Sequence, residues 1–249
     1  MEEVKKQEIL AKLSSDEHYY GDFGKQYLSN SNIGTLINNP KAFLEPMQDN
    51  INFLYGKAFH ELMMFGETQH SNFVEASTRN TKIYKEASLD AGGLLFLKKE
   101  WDDVNSLVES TLKNTEVKKV FDLDSIKFEV PNIGILNPGD TDLMWKCKAD
   151  IVSDEFVYDI KTSSSISGFK YSSKSYNYDS QAYIYSMMFQ KPMKFIVIEK
   201  GTGNVAFYDV SHEAYDNGRE KMIKAERNYL DYFVNKTKEL NNFTVYGEI

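Results

Sequence analysis

The stretch CKADIVSDEFVYDIKT, residues 147–162, carries two carboxylates and a lysine at spacings that can do chemistry. Two runs alternate apolar and polar residues. Cys147, Ala149 and Ile151 point one way, and Lys148, Asp150 and Val152 the other. Phe156, Tyr158 and Ile160 alternate with Val157, Asp159 and Lys161. This period of two predicts a half-buried β-hairpin. With Asp154 and Glu155 as a two-residue loop, Ser153 faces Phe156, and Asp150 comes directly opposite Asp159. Cβ atoms so placed are about 4.5–5.5 Å apart. Carboxylates that close repel unless a proton or cation sits between them. Hard oxygen ligands suit Mg2+ or Mn2+; magnesium needs only one or two protein carboxylates and completes its shell with water and phosphate oxygens. Lys161 shares the face of Asp159. An ammonium there can position water or stabilise charge on a phosphoryl group. Such a set would hydrolyse a phosphodiester. The plainer alternative is a surface ion pair between Asp159 and Lys161 with Asp150 solvated. The Asp-Glu turn also lacks the Asn-Gly that a type I′ turn prefers.

Two further pairs fall one helical turn apart. In GKAFHE, Gly56 and His60 share a helix face. Glycine inside a helix costs about 1 kcal/mol, so a packing reason is expected, one that lets a backbone or ligand approach His60. Imidazole can ligate a divalent ion; a satisfied core histidine is the commoner role. Glu61 is expected to be exposed. In QAYIY, Gln181 and Tyr185 share a face, where an amide and a phenol can reach a phosphate or orient a base. The alternative is a core tyrosine beside a solvated or capping amide.

The elements that must position these residues read as helices first, then a strand meander, a helix, more strands and a closing helix. Helical patterns cover residues 2–13, a short segment capped by Ser29 or Ser31 and stopped by Pro40, the run NFLYGKAFHELMMFG, and residues 93–113, 116–121, 177–189 and 212–235. Strand patterns cover 73–77, 125–130, 143–152 and 155–161, with KFIVIEK and NVAFYDV joined by a GTGN turn. The fold class is α/β. One domain is expected over 1–249, with a helical N-terminal elaboration (1–50), a core (51–210) and a C-terminal helix and tail (211–249).

Of the 249 residues 41% are apolar, which is ordinary for a globular chain. One cysteine excludes an intrachain disulfide and favours a reducing compartment. The charged N-terminal segment does not read as a signal peptide, and no run approaches a membrane span; a soluble cytoplasmic protein is expected. A net charge of −8 argues against a broad basic surface for nucleic acid. Between Lys161 and Lys194, however, lie five lysines, one acid and seven aromatic residues. That mixture suits a nucleic-acid path, although a solvated loop leading into a tyrosine-rich helix is the simpler expectation.

Taken together, G-x-x-x-H, then Asp, then D-x-K-T, then Q-x-x-x-Y resembles the PD-(D/E)XK nuclease superfamily. Within it the chain looks like the RecB-like branch and the RecE-type exonucleases (exonuclease VIII) of phage recombination systems. LSNSNIGTLINNPKAFLEP resembles their N-terminal signature, YGKAFHELM their histidine helix, CKADIVSDEFVYDIKTSSS their metal hairpin and YDSQAYIYSMM their glutamine–tyrosine helix. The resemblance implies a restriction-endonuclease-like core of mixed sheet flanked by helices. It implies Asp150, Asp159 and the Ile160 carbonyl as ligands of Mg2+ or Mn2+, with two ions per site. It makes Lys161 the catalytic lysine and His60 a ligand or neighbour of the second ion. Gln181 and Tyr185 would position that lysine or a DNA phosphate, and Glu129 would help hold metal. Asp159 stands where many members have Glu. The activity implied is 5′→3′ digestion of linear double-stranded DNA, leaving single-stranded tails for an annealing protein, in a bacterial or phage-infected cell. Toroidal relatives suggest a cyclic trimer or tetramer. The alternatives are a nuclease for single-stranded or branched DNA, or a degenerate fold that only binds DNA or protein.

Overall fold

The computed structural model describes residues 3–45 and 50–244; Glu2 of the first expected helix, Pro46 of the N-terminal signature and the tail from 245 lie outside them. The chain opens with helices α1 (Glu3–Leu13), α2 (Asp16–Tyr20), α3 (Asn30–Asn38) and α4 (Ile51–Phe65). A parallel pair of two-residue strands, β1 (Phe73–Val74) and β2 (Phe96–Leu97), brackets α5 (Lys82–Asp90). Helices α6 (Lys98–Lys113) and α7 (Thr115–Phe121) follow. Then come β3 (Lys127–Ile135), β4 (Met144–Val152) and β5 (Val157–Ser163), and the helices α8 (Ile166–Ser175) and α9 (Tyr178–Phe189). β6 (Met193–Glu199), β7 (Val205–Asp209) and α10 (His212–Tyr229) close the fold, with a π turn (Leu230–Val234) after α10.

Among the described residues the main sheet runs β3-β4-β5-β6-β7. Its neighbours are antiparallel except β5 and β6, which are parallel. Parallel neighbours need a crossover, and α8 and α9 supply it. One sheet face packs Trp145, Val157 and Val197 against Ile33 of α3, Ile184 of α9 and Met222 of α10. The other packs Ile151, Ile160 and Ile198 against Phe59 of α4 and Val104 of α6. This is the mixed α/β core with helical flanks that the sequence predicts, but both faces of the hairpin are covered, so it is not half-buried: Lys146, Asp150 and Asp159 are buried along with the apolar positions.

Several boundaries differ from expectation. Residues 93–97 are not helical. Phe96 and Leu97 pair with β1 instead, and Glu100 reaches back to accept from Leu97 N (2.9 Å), which starts α6 there. β1 is shorter than 73–77, and β3 runs on to Ile135. Ser29 is the cap of α3, with Asn32 Oδ1 accepting from its N–H at 2.8 Å.

Candidate active site

The hairpin has the predicted register at its tip. Ser153 N donates to Phe156 O (2.9 Å), Val152 pairs with Val157, and Ile151 pairs with Tyr158. The ladder stops there. Asp150 and Asp159 are next in register but are not a pair, because β4 rolls over at this point. Ala149 packs in the core beside α9, whereas Ile151, two residues on, packs in the core beneath α4. The partner strand records the same distortion. β3 pairs with β4 at Phe128–Ile151 and Val130–Ala149 but skips Glu129, whose φ is +50°. A non-glycine residue held left-handed within a strand is strained, and such strain collects at functional sites. β5 pairs with β6 along its whole length, and beyond the fork the vacated side of β4 is filled by Leu28, which accepts from Lys146 N (2.8 Å) and donates to Met144 O (3.0 Å). The fork between β4 and β5 is the floor of an open cleft of about 1720 Å³.

The freed edge rearranges around Asp150. Ile160 N, which lacks a ladder partner on β4, donates to Asp150 Oδ2 at 2.7 Å, and His60 Nδ1 lies 3.3 Å from the same oxygen. Burial acts to raise the Asp150 carboxyl, but His60, Lys161 and the Ile160 N–H outweigh it and hold the pKa below the usual value. Burial likewise acts against the His60 imidazolium, and the Asp150 carboxylate overrides it, so its pKa is raised.

Asp159 is the more burdened carboxylate, with only 2% of its surface exposed. Burial pushes its pKa up to about 6; Lys161 opposes that rise and Asp150 adds to it. Gln181 Nε2 donates to Oδ1. Lys161 Nζ lies 2.5 Å from Oδ2 but off the angle of a hydrogen bond, so this buried oxygen has charge beside it and no aligned donor. The Lys161 ammonium also sits 4.9 Å from the centroid of Tyr178. Burial acts to lower its pKa, and Asp159, Tyr178 and Asp150 together raise it.

The remaining expected residues take different places. Gln181 meets Asp159 rather than Lys161. Tyr185 is buried and donates to Lys148 O (3.1 Å), so it braces β4 at the fork. Both are carried by α9, whose first turn is locked against α10: a Cβ on Gly218 would lie 2.2 Å from Asp179 O. Glu129 is paired with Lys148 at 2.7 Å, and burial raises its pKa. Nothing packs on Gly56. An added Cβ would meet no atom within 4 Å, and the position opens into the cleft beside His60. The expected packing reason is therefore absent, while room for a ligand remains. Glu61 is not exposed; it accepts from Thr68 Oγ1 and lies 3.7 Å from His70. Of the lysines between 161 and 194, Lys191 and Lys194 lie at the far end of the strands, bound to Ser153 O and Asp209.

One cluster escaped sequence reading. Lys148 is gripped by Asp16 of α2 and Glu129, and Asp16 also holds Lys57 of α4 at 2.8 Å. No local pattern signals a pair 132 residues apart; the one hint was Ser15, the N-cap that places Asp16 in a first turn.

The donors test the fit of a divalent ion. Among the described residues no three His, Cys, Asp or Glu side chains are grouped to enclose a metal, which disfavours a zinc-like cage. Two carboxylates at one cleft floor, an oxygen without an aligned donor and open space beside His60 do fit a hard ion that keeps water and phosphate in its shell.

The chain matches the PDDEXK-like domain of unknown function (DUF3799) over residues 30–242. It belongs to the PDDEXK-like family. As a member it is a nuclease of the PD-(D/E)XK type, and the matched span includes the hairpin that carries Asp150, Asp159 and Lys161. No curated protein matches the chain. Among solved structures, a protein of Eubacterium rectale provisionally named an exonuclease is similar over 94% of this chain and 95% of its own, at 14% identity and a TM-score of 0.65, a likeness of fold. A phage-related exonuclease of Haemophilus somnus is similar over 76% of this chain and all of its own, at 14% identity, with a TM-score of 0.33 that carries no weight. Among the described residues no helix is long and apolar enough to cross a membrane.

Proposed function

We propose that this PDDEXK-like protein is a metal-dependent deoxyribonuclease of the RecE type, an exonuclease that degrades linear double-stranded DNA 5′→3′ and leaves tails for an annealing protein. The observation that carries this reading is Asp150, Asp159 and Lys161 meeting at the β4–β5 fork, on the floor of an open cleft. Asp150, Asp159 and the Ile160 carbonyl would hold Mg2+ or Mn2+, with His60, and Glu129 once released by Lys148, serving a second ion. Such an ion, when bound, supplies Lewis acidity to the phosphoryl oxygen and acidifies water. Lys161 stabilises charge on the phosphoryl group and orients the attacking water. Gln181 keeps the Asp159 carboxylate aimed into the cleft, and His60 and Ile160 N do the same for Asp150. Tyr185 fixes β4. The name of the Eubacterium rectale protein and the family match support the reading, and a cyclic trimer or tetramer accompanies it.

Digestion of end-labelled linear duplex, single-stranded and circular DNA tests it. Magnesium should support loss of linear duplex from the 5′ end and spare circles. Asp150→Asn and Lys161→Ala should each lower the rate at least about a hundredfold with unchanged circular dichroism. Wild-type rates in either variant would remove the mechanism.

A further inference from the structure

The cleft is poorly built to hold a strand by charge. Six carboxylates and four lysines line it. Lys57, Lys148 and Lys161 each sit against one of those carboxylates. Among the described residues only Lys200 faces the cleft without a carboxylate within 4.0 Å. Ions at the fork would neutralise Asp150 and Asp159, yet they would leave almost no cation along the walls to follow a phosphate backbone. Duplex binding runs chiefly on such cations.

The walls offer something else. Phe53, in the first turn of α4, is 56% exposed, and Tyr176, at the end of α8, is 65% exposed. Both line the cleft. They come from opposite helical layers, since α4 packs on one sheet face and α8 and α9 on the other. Phe65, 53% exposed, lies at the far end of α4, about 18 Å from Phe53 at 1.5 Å per residue. Large exposed rings in a cleft want a flat apolar partner. A duplex shows its phosphates outward and keeps its bases covered; unpaired nucleotides present their faces.

We infer that the cleft receives unpaired nucleotides, with bases stacked on Phe53 and Tyr176, so that a duplex enters by a frayed or tailed end. The inference rests on the nuclease reading and narrows its substrate. Each base–aromatic stack is worth roughly what opening one base-pair step costs, so two rings are enough to hold a short opened end. The sequence mixture of lysines and aromatic residues between 161 and 194 thus contributes rings more than charge.

Fluorescence anisotropy with a labelled twelve-nucleotide oligothymidine, and with the same strand made abasic at its three end positions, tests it. Measured with magnesium in the Lys161→Ala background, the intact strand should bind at least about tenfold more tightly than the abasic one. Adding Phe53→Ala and Tyr176→Ala should bring both to the abasic level. The otherwise wild-type enzyme should cleave a hairpin duplex with four unpaired terminal bases faster than a blunt one, and Phe53→Ala with Tyr176→Ala should erase that preference. Equal affinity for both strands, discrimination that survives loss of both rings, or no binding at all would overturn the inference. Blunt duplex cleaved as well as frayed would sink it and leave the nuclease reading standing. Base-dependent binding without cleavage of any DNA would do the reverse.

Discussion

A methyl group at Gly56 would touch nothing within 4 Å. In a helix interior that methyl group is favourable by about 0.5–1 kcal/mol, because glycine loses more backbone freedom on folding than alanine. The sequence carries this cost beside His60, where an added carbon would project into the space a ligand needs. Gly56→Ala should therefore raise the melting temperature of the metal-free protein by about 2 °C while lowering activity on DNA, with its half-saturating magnesium concentration moved upward. Thermal melts and a magnesium titration check both halves. A variant less stable than wild type would show that the glycine serves packing after all. At this scale the nearness of Lys161 to Asp159 was legible, because a period of two puts them on one face, but the setting of Asp150 was not, because β4 rolls over between Ala149 and Ile151. The Asp159–Gln181 contact was not, since it spans a crossover whose geometry no local spacing records.

The elements that aim these residues are held by side chains outside the fork. Lys146 of β4 is buried and donates to Tyr19 O at the end of α2, with its ammonium 4.1 Å from the centroid of Tyr19. Burial, with Lys148 nearby adding repulsion, lowers its pKa to about 8. Below that pH both folded and unfolded chains carry the proton, and the cost of the buried charge is present in full. As pH rises from about 8 toward the unfolded value of 10.5, the unfolded chain binds more protons, so stability gains from this group. Lys146→Met has no such titration. Its melting temperature relative to wild type should fall between pH 7.5 and 10, by at least about 2 °C, and a flat difference would show that the amine is not penalised by burial. The main helices and strands were readable from periodicity and caps. Helix α8 was not, because ISGFKYSSKS is rich in serines that compete locally for backbone groups, and only its docking on α9 and β6 makes it helical. The hairpin register was readable to its tip. Its fork was not, because the β4 edge that the hairpin ladder leaves is taken by Leu28, from far away in the sequence.

At the scale of the whole molecule the difficulty is charge. A chain at −8 repels a polyanion, and stacking on a few rings holds only the end within reach. The lysines that lie close together in the sequence between 161 and 194 are divided by the fold: Lys161 is in the cleft, and Lys191 and Lys194 are tied at the other end of the strands. Lys170 and Lys174 are exposed on α8 beside Tyr171, which is 79% exposed, with Lys174 3.7 Å from the exposed Glu213 of α10. One such helix makes a weak track; three or four copies facing a common axis make a collar of local positive potential with the acidic surface outward. A closed ring threads only onto a free end, so end-dependence and processivity would follow from topology and need no tight contact. Light scattering should then report a mass of three or four chains, Lys170→Glu with Lys174→Glu should shorten the tract digested per encounter, and excess unlabelled DNA should not halt digestion already under way. A monomer stopped at once by competitor would leave the stacking cleft as the whole of the DNA-binding surface, and would favour single-stranded or branched ends over long duplex as the natural substrate.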